Sequence, residues 1–351
     1  MVKKEKKENR KEKDEESKKK AEEKKFSKAA TLLLSEKIES KVPEGIRDLY
    51  LYYKRLNDTE EAISRSIVPW VSETDIYKSY LRHIQGIGPI LAANLIAMLN
   101  PIENFPKPSM LVSYAGLSGS HYQQECEEGH KFLTSSPKPS CPVNLTETDG
   151  DDEEIKKCGA KVINSTFVNI PMKRQRGYHI FQNARLKTTL YKIATSFEKQ
   201  PSDKSQYRML YDIKKAEYAS RENLKDEKGG KGHIRMMTMR YVEKRFLTNL
   251  HVVWSLGMGI EVTPYEATLK NHTIDPIRTD DNFPLPKKGS FAPISEQRMW
   301  SIRQLTDNYY DMQKMRIKTF NNVIAWIKSN PEKAKDYLKS SDKEEDSGKE
   351  E

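Results

Sequence analysis

The stretch Leu81–Leu99, LRHIQGIGPILAANLIAML, constrains this chain more than any other. Ile84 and Ile87 flank Gly86, and Gly88 followed by Pro89 predicts a helix start. Glycine tolerates the cap geometry, and proline suits the first helical position. Beyond it, Ile90, Leu91, Ala93, Asn94, Ala97 and Met98 keep a helical rhythm rather than a strand rhythm. A short helix, a glycine turn and a second helix make a helix-hairpin-helix. In such a turn the glycines let the backbone approach a phosphate, and the N–H groups that open the second helix point at it. Contacts of that kind read the backbone and not the bases. A plain helix–helix turn in a packed core is the competing reading.

The rest of the chain is read around that hairpin. At 351 residues it can hold two modest domains, or one domain with tails. No apolar run reaches membrane-spanning length, and the N-terminus lacks the apolar core of a signal peptide. The expectation is therefore a cytoplasmic protein without a membrane partner. Three cysteines do not make a disulfide framework and fit a reducing compartment. Residues 1 to about 25 are almost wholly charged and polar, so they read as disordered or as a fraying helix.

A short helix is expected between Phe26 and Ser40, closing a first segment at residue 42. The helix-hairpin-helix domain then runs from 43 to 124. It opens on a helix with Ile46, Leu49, Tyr50, Tyr53 and Leu56 at helical spacing, expected to end near Arg65. Pro101–Pro108 reads as a loop, with Ser109 capping a short helix, Met110–Tyr114. From 125 to 170 the composition turns acidic and rich in Ser, Thr and Pro, which reads as a surface insertion. Long helices return at Ala184–Glu198, Gln206–Leu224 and Met236–Leu256, and Gly229–His233 between the last two reads as a flexible basic loop. A Pro-rich stretch precedes a long amphipathic helix, Ser295–Ile327, and a charged tail begins near 331. The fold class expected is mainly α, with a small irregular insertion and disordered ends.

Three constellations carry candidate chemistry. From Pro171 to Leu250 there are 19 Lys and Arg against 8 Asp and Glu, which accounts for the whole net charge of +10. Lys173, Arg174, Arg176, Arg185 and Lys187 crowd its start, with Lys231 and Arg235 further on and tyrosines interleaved. Such clustering is the footprint of phosphate binding, and ordinary solvated helix faces give the same sum.

The second constellation is Cys126, His130, Cys141 and Cys158. Three thiolates and an imidazole would close a tetrahedral structural zinc site of zinc-ribbon type. The spacing is irregular, because a standard knuckle would place a cysteine where Asn144 stands, so a degraded or absent site fits equally well. The third is Ser118 and Ser120 around Gly119, hydroxyls on a glycine-rich turn, where most serines only cap or bond locally.

LRHIQGIGPILAANLIAMLNPIENFPKPSMLVSYAGL resembles the C-terminal domain of a large group of insertion-sequence transposases, the bridge-RNA-guided recombinases. The match falls on Gly86, Ile87, Gly88, Pro89, Ala92, Ala93, Phe105, Tyr114, Ala115, Gly116 and Leu117. The later half is similar to archaeal-type members, in KRQRGYHIFQNARLKTTLYKIATSF and KGHIRMMTMRYVEKRF. The resemblance implies DNA transposition, a DNA substrate, a structured guide RNA and a serine nucleophile paired with a RuvC-like acidic domain. This chain departs from that pattern twice. About 80 residues precede the hairpin, too few for the acidic domain, and magnesium enters only if a partner supplies that site. Ser118-Gly119 also follows Leu117 at once, whereas the family's Ser-Gly comes some residues later.

The expectation is a transposase-like DNA-binding protein, nucleoid-associated, in which Gly86, Ile87, Gly88 and the basic residues grip phosphate. Ser118 or Ser120 would attack a phosphodiester if chemistry is retained. A non-catalytic, domesticated or truncated binder of DNA or RNA is the alternative. A repair-type hairpin module acting with a separate nuclease is the third. Homo-oligomerisation is open, since the long C-terminal helix could pair with a copy or pack on its own domain.

Overall fold

A computed structural model describes residues 20–34, 44–149, 152–170, 172–173, 175–221, 230–261, 286–335 and 337–339. The chain divides into two compact units, Met1–Ser66 with Gln304–Glu351, and Ile67–Arg303. The described residues are mostly helical, as the periodicity predicts. No helix among them is long and apolar enough to cross a membrane.

The first unit takes helix α1 (20–33), helix α2 (Arg47–Ser72) as far as Ser66, and the last helix, α9 (Glu296–Ser329), from Gln304 onward. Its core joins Ala29, Ala30 and Leu33 with Ile46, Val323, Ile327, Ala334 and Tyr337. In the same unit the buried Glu60 meets Arg316 at 2.8 Å. Helix α1 starts earlier than the apolar pattern at Phe26 suggests, because charged residues 20–25 continue its exposed face. Helix α2 passes the expected end at Arg65, since Ile67 and Val71 are buried and extend its apolar stripe.

The second unit is built on helix α8 (Gly230–Gly257). It packs against α5 (Pro108–Tyr114), α6 (Ala184–Glu198) and α7 (Gln206–Ser220). Phe197, Tyr207 and Phe246 form its aromatic centre, with Phe197 and Tyr207 stacked at 4.6 Å and Phe246 edge-on to both at 5.7 Å. The Tyr207 hydroxyl is satisfied inside the core by Asn249 at 2.9 Å and Tyr80 at 3.2 Å. Burial pushes Tyr207 up to about 12, so both phenols stay neutral. Helix α6 matches its expected bounds, capped by Asn183, whose side chain accepts from the Leu186 N–H. Helix α8 starts at Gly230, so the basic stretch 230–233 is a first helical turn and not a loop. Helix α5 starts at Pro108 with Lys107 at the cap, where Ser109 was expected, because Pro108 takes the first helical position.

Between α5 and α6 lies the only four-stranded sheet among the described residues, with order β5-β1-β2-β6. Its strands are β1 (His121–Cys126), β2 (Lys131–Thr134), β5 (Val162–Val168) and β6 (Tyr178–Ile180). β1 runs antiparallel to β2 and β5, and β2 parallel to β6. A separate hairpin, β3 (Asn144–Asp149) and β4 (Asp152–Lys157), rises from it. The sheet thus starts before the compositional change at 125 and ends beyond 170. Its first strand in the chain, β1, begins where composition is still ordinary, and its last, β6, lies in the basic run.

Candidate nucleic-acid interface and metal centre

The hairpin begins with α3 (Asp75–Ser79) and a 3-10 turn, Leu81–His83, and ends in α4 (Pro89–Leu99). Ile84 and Ile87 are buried on either side of the glycine turn, and the Ile87 N–H closes it on Ile84 O at 3.1 Å. Ile87 therefore anchors the turn from inside.

The two glycines have different duties. Gly86 sits at φ +95°, and its carbonyl accepts the Ser196 hydroxyl at 2.8 Å. A Cβ there would lie 2.9 Å from Ser196 Oγ and 3.3 Å from Phe197 Cδ1, so glycine is needed for close packing on α6. Gly88 is the extended N-cap of α4, exposed, with nothing within 4 Å of a Cβ. Pro89 has no N–H, and the first intrahelical bond runs from Ala92 N–H to Gly88 O at 3.0 Å. The amides of Gly88, Ile90 and Leu91 thus have no helical acceptor, which gives this end the partial positive charge that anions favour.

The basic residues of the sequence pattern divide into three groups. Lys173, Arg176 and Lys231 are exposed. Arg185 is half-buried and donates from Nη2 to the buried Asn94 Oδ1 at 3.1 Å, while Asn94 donates to Ile90 O at 2.8 Å. It therefore steadies α4 on α6. Lys187 is half-buried, and burial and neighbouring Arg240 hold it below the ordinary lysine range, with Glu243 opposing. Arg235 is committed to Glu198, its Nε 2.8 and 3.0 Å from the two carboxylate oxygens. Tyr211 also donates to Glu198 at 2.6 Å, so the Glu198 carboxyl stays below its usual range, Arg235 being the main cause. Arg174 lies outside the described residues.

Ser118 is half-buried, and its hydroxyl lies 3.2 Å from Ser113 Oγ. Ser113 in turn lines a cavity of about 380 Å³ between α5 and β2, with Ser109, Tyr114, Ser136, Lys138 and Phe181. Ser120 is half-buried just before β1.

The four metal-ligand candidates come together. Cys126 Sγ, His130 Nδ1, Cys141 Sγ and Cys158 Sγ all lie within 4.8 Å of one another. His130 Nδ1 is 3.5 Å from Cys126 Sγ and 3.9 Å from Cys141 Sγ. A tetrahedral zinc with Zn–S of about 2.3 Å and Zn–N of about 2.0 Å spaces its donors by roughly 3.5–3.8 Å, so the donor set and its spacing fit that ion. Burial pushes Cys141 up to about 12. Burial works against the Cys126 thiolate too, but N–H groups of His130 and Glu128 and the neighbouring thiols hold Cys126 below its usual range.

The irregular spacing has a structural cause. Asn144 pairs with Lys157 as the first rung of the β3–β4 hairpin, and the Cys158 N–H donates to Val143 O at 2.8 Å. The hairpin is thus inserted inside one ligand turn, whose two halves are Cys141-Pro142-Val143 and Cys158-Gly159. Gly159 at φ +66° returns its N–H to Cys141 O at 3.1 Å, and Gly129 at φ +76° does the same for Cys126 O at 2.9 Å. Gly150-Asp151, the two residues between the strands, is the sequence signal for such a hairpin.

Residues 78–123, from α3 through the glycine turn, α4 and α5 into β1, match the model of the family described as Transposase IS116/IS110/IS902 family. No curated protein and no solved structure matches the chain significantly. The segment that holds the GIG turn is therefore similar to the corresponding segment of insertion-sequence transposases.

Proposed function

We propose that the protein is a nucleic-acid-binding transposase of the insertion-sequence type, which grips a phosphate backbone at the open end of α4. The observation that carries this reading is one coincidence. The segment matched by the transposase family contains an exposed helix N-terminus, opened by Gly88, with amides free of helical acceptors. The exposed Lys173, Arg176 and Lys231 are the further phosphate contacts in this reading. Arg185 and Arg235 act mainly by holding helices together, through Asn94 and Glu198. DNA is the proposed substrate, and a structured guide RNA and kinship to archaeal-type members belong to the same proposal, as does a place at the nucleoid.

Cys126, His130, Cys141 and Cys158 hold a structural zinc ion in this reading. Bound zinc would offset most of the charge of three thiolates and tie β1, β2 and the base of the β3–β4 hairpin together. With four protein donors it has no open position for a substrate.

In the catalytic form of the proposal, Ser118 attacks a phosphodiester held over the cavity that Ser113 lines. The serine oxygen would form a phosphoester and the leaving DNA hydroxyl would take a proton. A second reading, a non-catalytic binder, is favoured by one observation. Among the described residues the Ser118 hydroxyl touches the Ser113 hydroxyl, and no carboxylate or imidazole.

The test incubates the protein with supercoiled DNA and looks for a covalent protein–DNA adduct, wild type beside Ser118→Ala and Ser120→Ala. An adduct lost in one variant supports catalysis and identifies the nucleophile. Binding without an adduct supports the second reading. Binding that a Gly88→Glu substitution leaves unchanged would overturn the phosphate grip at α4.

A further inference from the structure

Three aromatic side chains share one row across the four-stranded sheet. Phe167 on β5 stands opposite Tyr122 on β1, and Tyr122 stands opposite Thr134 on β2. Residues directly opposite each other share a face, so these three project to the same side. Phe181 completes the row one residue past β6. Its N–H donates to Leu133 O at 3.4 Å, and its side chain lines a cavity together with Thr134. Phe167 meets Tyr122 edge-on at 5.3 Å, and Phe181 meets Phe132 in the same way at 6.2 Å. Rings of this size are ordinarily well covered in a folded chain. Here Phe167 is 55% exposed, Phe181 is 41% exposed and Tyr122 is half-buried.

Beside this row lies the cavity of about 380 Å³ between α5 and β2. Its polar wall is hydroxylic, made by Ser109, Ser113, Tyr114, Ser135 and Ser136. Among the described residues that line it, only Lys138 is charged, and it is exposed. The wall is held in place from behind. The buried Gln124 accepts from the Thr134 hydroxyl at 2.9 Å and from the Lys138 N–H at 3.0 Å, and donates to Lys138 O at 3.1 Å. One side chain thus fixes both ends of the loop that carries Ser135 and Ser136. The Tyr114 hydroxyl is oriented by Asn183 Nδ2 at 2.9 Å.

This chemistry fits one class of occupant. Outward rings stack on flat apolar faces, hydroxyls bond to phosphate, sugar and base-edge atoms, and an ammonium with no carboxylate in the lining favours phosphate. A nucleotide carries all three partners. Bases inside a duplex present no free face, so the strand that fits is unpaired. The row crosses three strand spacings, roughly 14 Å. Four-stranded sheets with aromatics on one face stack two or three unpaired bases in this manner.

We propose that this row and the cavity beside it form a site for an unpaired stretch of nucleic acid, whose bases stack on Phe167, Tyr122 and Phe181 and whose phosphate meets Lys138. The proposal rests on the nucleic-acid reading above and deepens it, through residues other than those of the α4 end.

The test uses the full chain and fluorescence anisotropy at low salt. The probes are a labelled oligothymidylate, an oligouridylate and a duplex, each of about ten nucleotides. Wild type stands beside Phe167→Ala, Phe181→Leu, Phe181→Trp, Lys138→Ala and Gly88→Glu. Leucine keeps apolar bulk without a π-face, whereas tryptophan keeps the face. Phe167→Ala and Phe181→Leu should each raise the dissociation constant for a single strand at least about fivefold. Phe181→Trp should bind as wild type does. Lys138→Ala should make the slope of log affinity against log salt shallower by about 0.7. All four should leave duplex binding unchanged. A loss seen with thymidylate, uridylate or both supports the site, and the probe that shows it tells DNA from RNA.

Single strands bound equally well by every variant would overturn the proposal, and so would equal losses for duplex and single strands. If the duplex binds and Gly88→Glu weakens it while neither single strand binds, this proposal fails and the α4 grip stands. If nothing binds, both fail. Should a variant disturb the sheet, cross-linking of wild type decides alone. Iodouracil-substituted strands under near-ultraviolet light should label peptides that contain Tyr122, Phe167 or Phe181, and labels confined to other peptides overturn the proposal.

Discussion

Glu243 is the residue whose chemistry the sequence could not reveal. It looks like one more charge on a basic helix, yet it is only 5% exposed. Burial lifts its carboxyl to about 7, against the opposing pull of Arg240, Lys187 and Lys244. A carboxyl raised in the folded state favours folding while it is protonated, and that contribution fades as pH rises from about 4.5 to about 7. Glu243→Gln should therefore be more stable than wild type at pH 8, by roughly 3 kcal/mol at most, and equal to it near pH 4. Melting temperatures across that range check it; parallel profiles would mean the carboxylate is solvated. The hairpin glycines divide in the same residue-level way. Gly86→Ala should cost about 1–3 kcal/mol, through the positive φ and the contact with Ser196. Gly88→Ala should cost under about 1 kcal/mol. Denaturant titrations separate the two. The sequence marked both glycines for one task, because spacing does not reveal that Ser196, 110 residues on, packs against the first.

At the scale of elements, the long helices were legible because their apolar spacing is regular. Helix α6 keeps its expected bounds, while α8 reaches back through 230–233, where glycines had signalled a loop. The sheet was much less legible. β1 and β2 are neighbours in the chain, but β1 with β5 and β2 with β6 pair across segments far apart in sequence, and no single strand shows clean alternation. The metal cluster was half legible: the ligand types stood out, but the hairpin inside one ligand turn hid the spacing. That account predicts the outcome of removing 144–157 and joining Val143 to Cys158. The shortened chain should still bind one zinc, measured by metal analysis after dialysis. Cys158→Ser in the full chain should weaken zinc by more than the roughly 10–100-fold that loss of a supporting hydrogen bond costs. Loss of zinc on removing the hairpin would show that β3 and β4 form the site rather than interrupt it.

On the scale of the whole molecule, the charge is what couples fold to function. The net charge of +10 is concentrated after residue 171, in the same unit as the hairpin. Some of that charge is internal: Arg235 holds Glu198, and Arg185 holds Asn94. The number of cations free to meet phosphate is thus smaller than the sequence count suggests. The most direct measurement is binding to duplex DNA and to structured RNA across a salt series, wild type beside Gly88→Glu. The account predicts that log affinity falls linearly with log salt, with a slope of about −0.9 for each phosphate contact on duplex DNA. Gly88→Glu should bind more weakly with a shallower slope while its melting temperature stays close to wild type. No binding to either nucleic acid at low salt would contradict the account and reduce the GIG turn to a packing device.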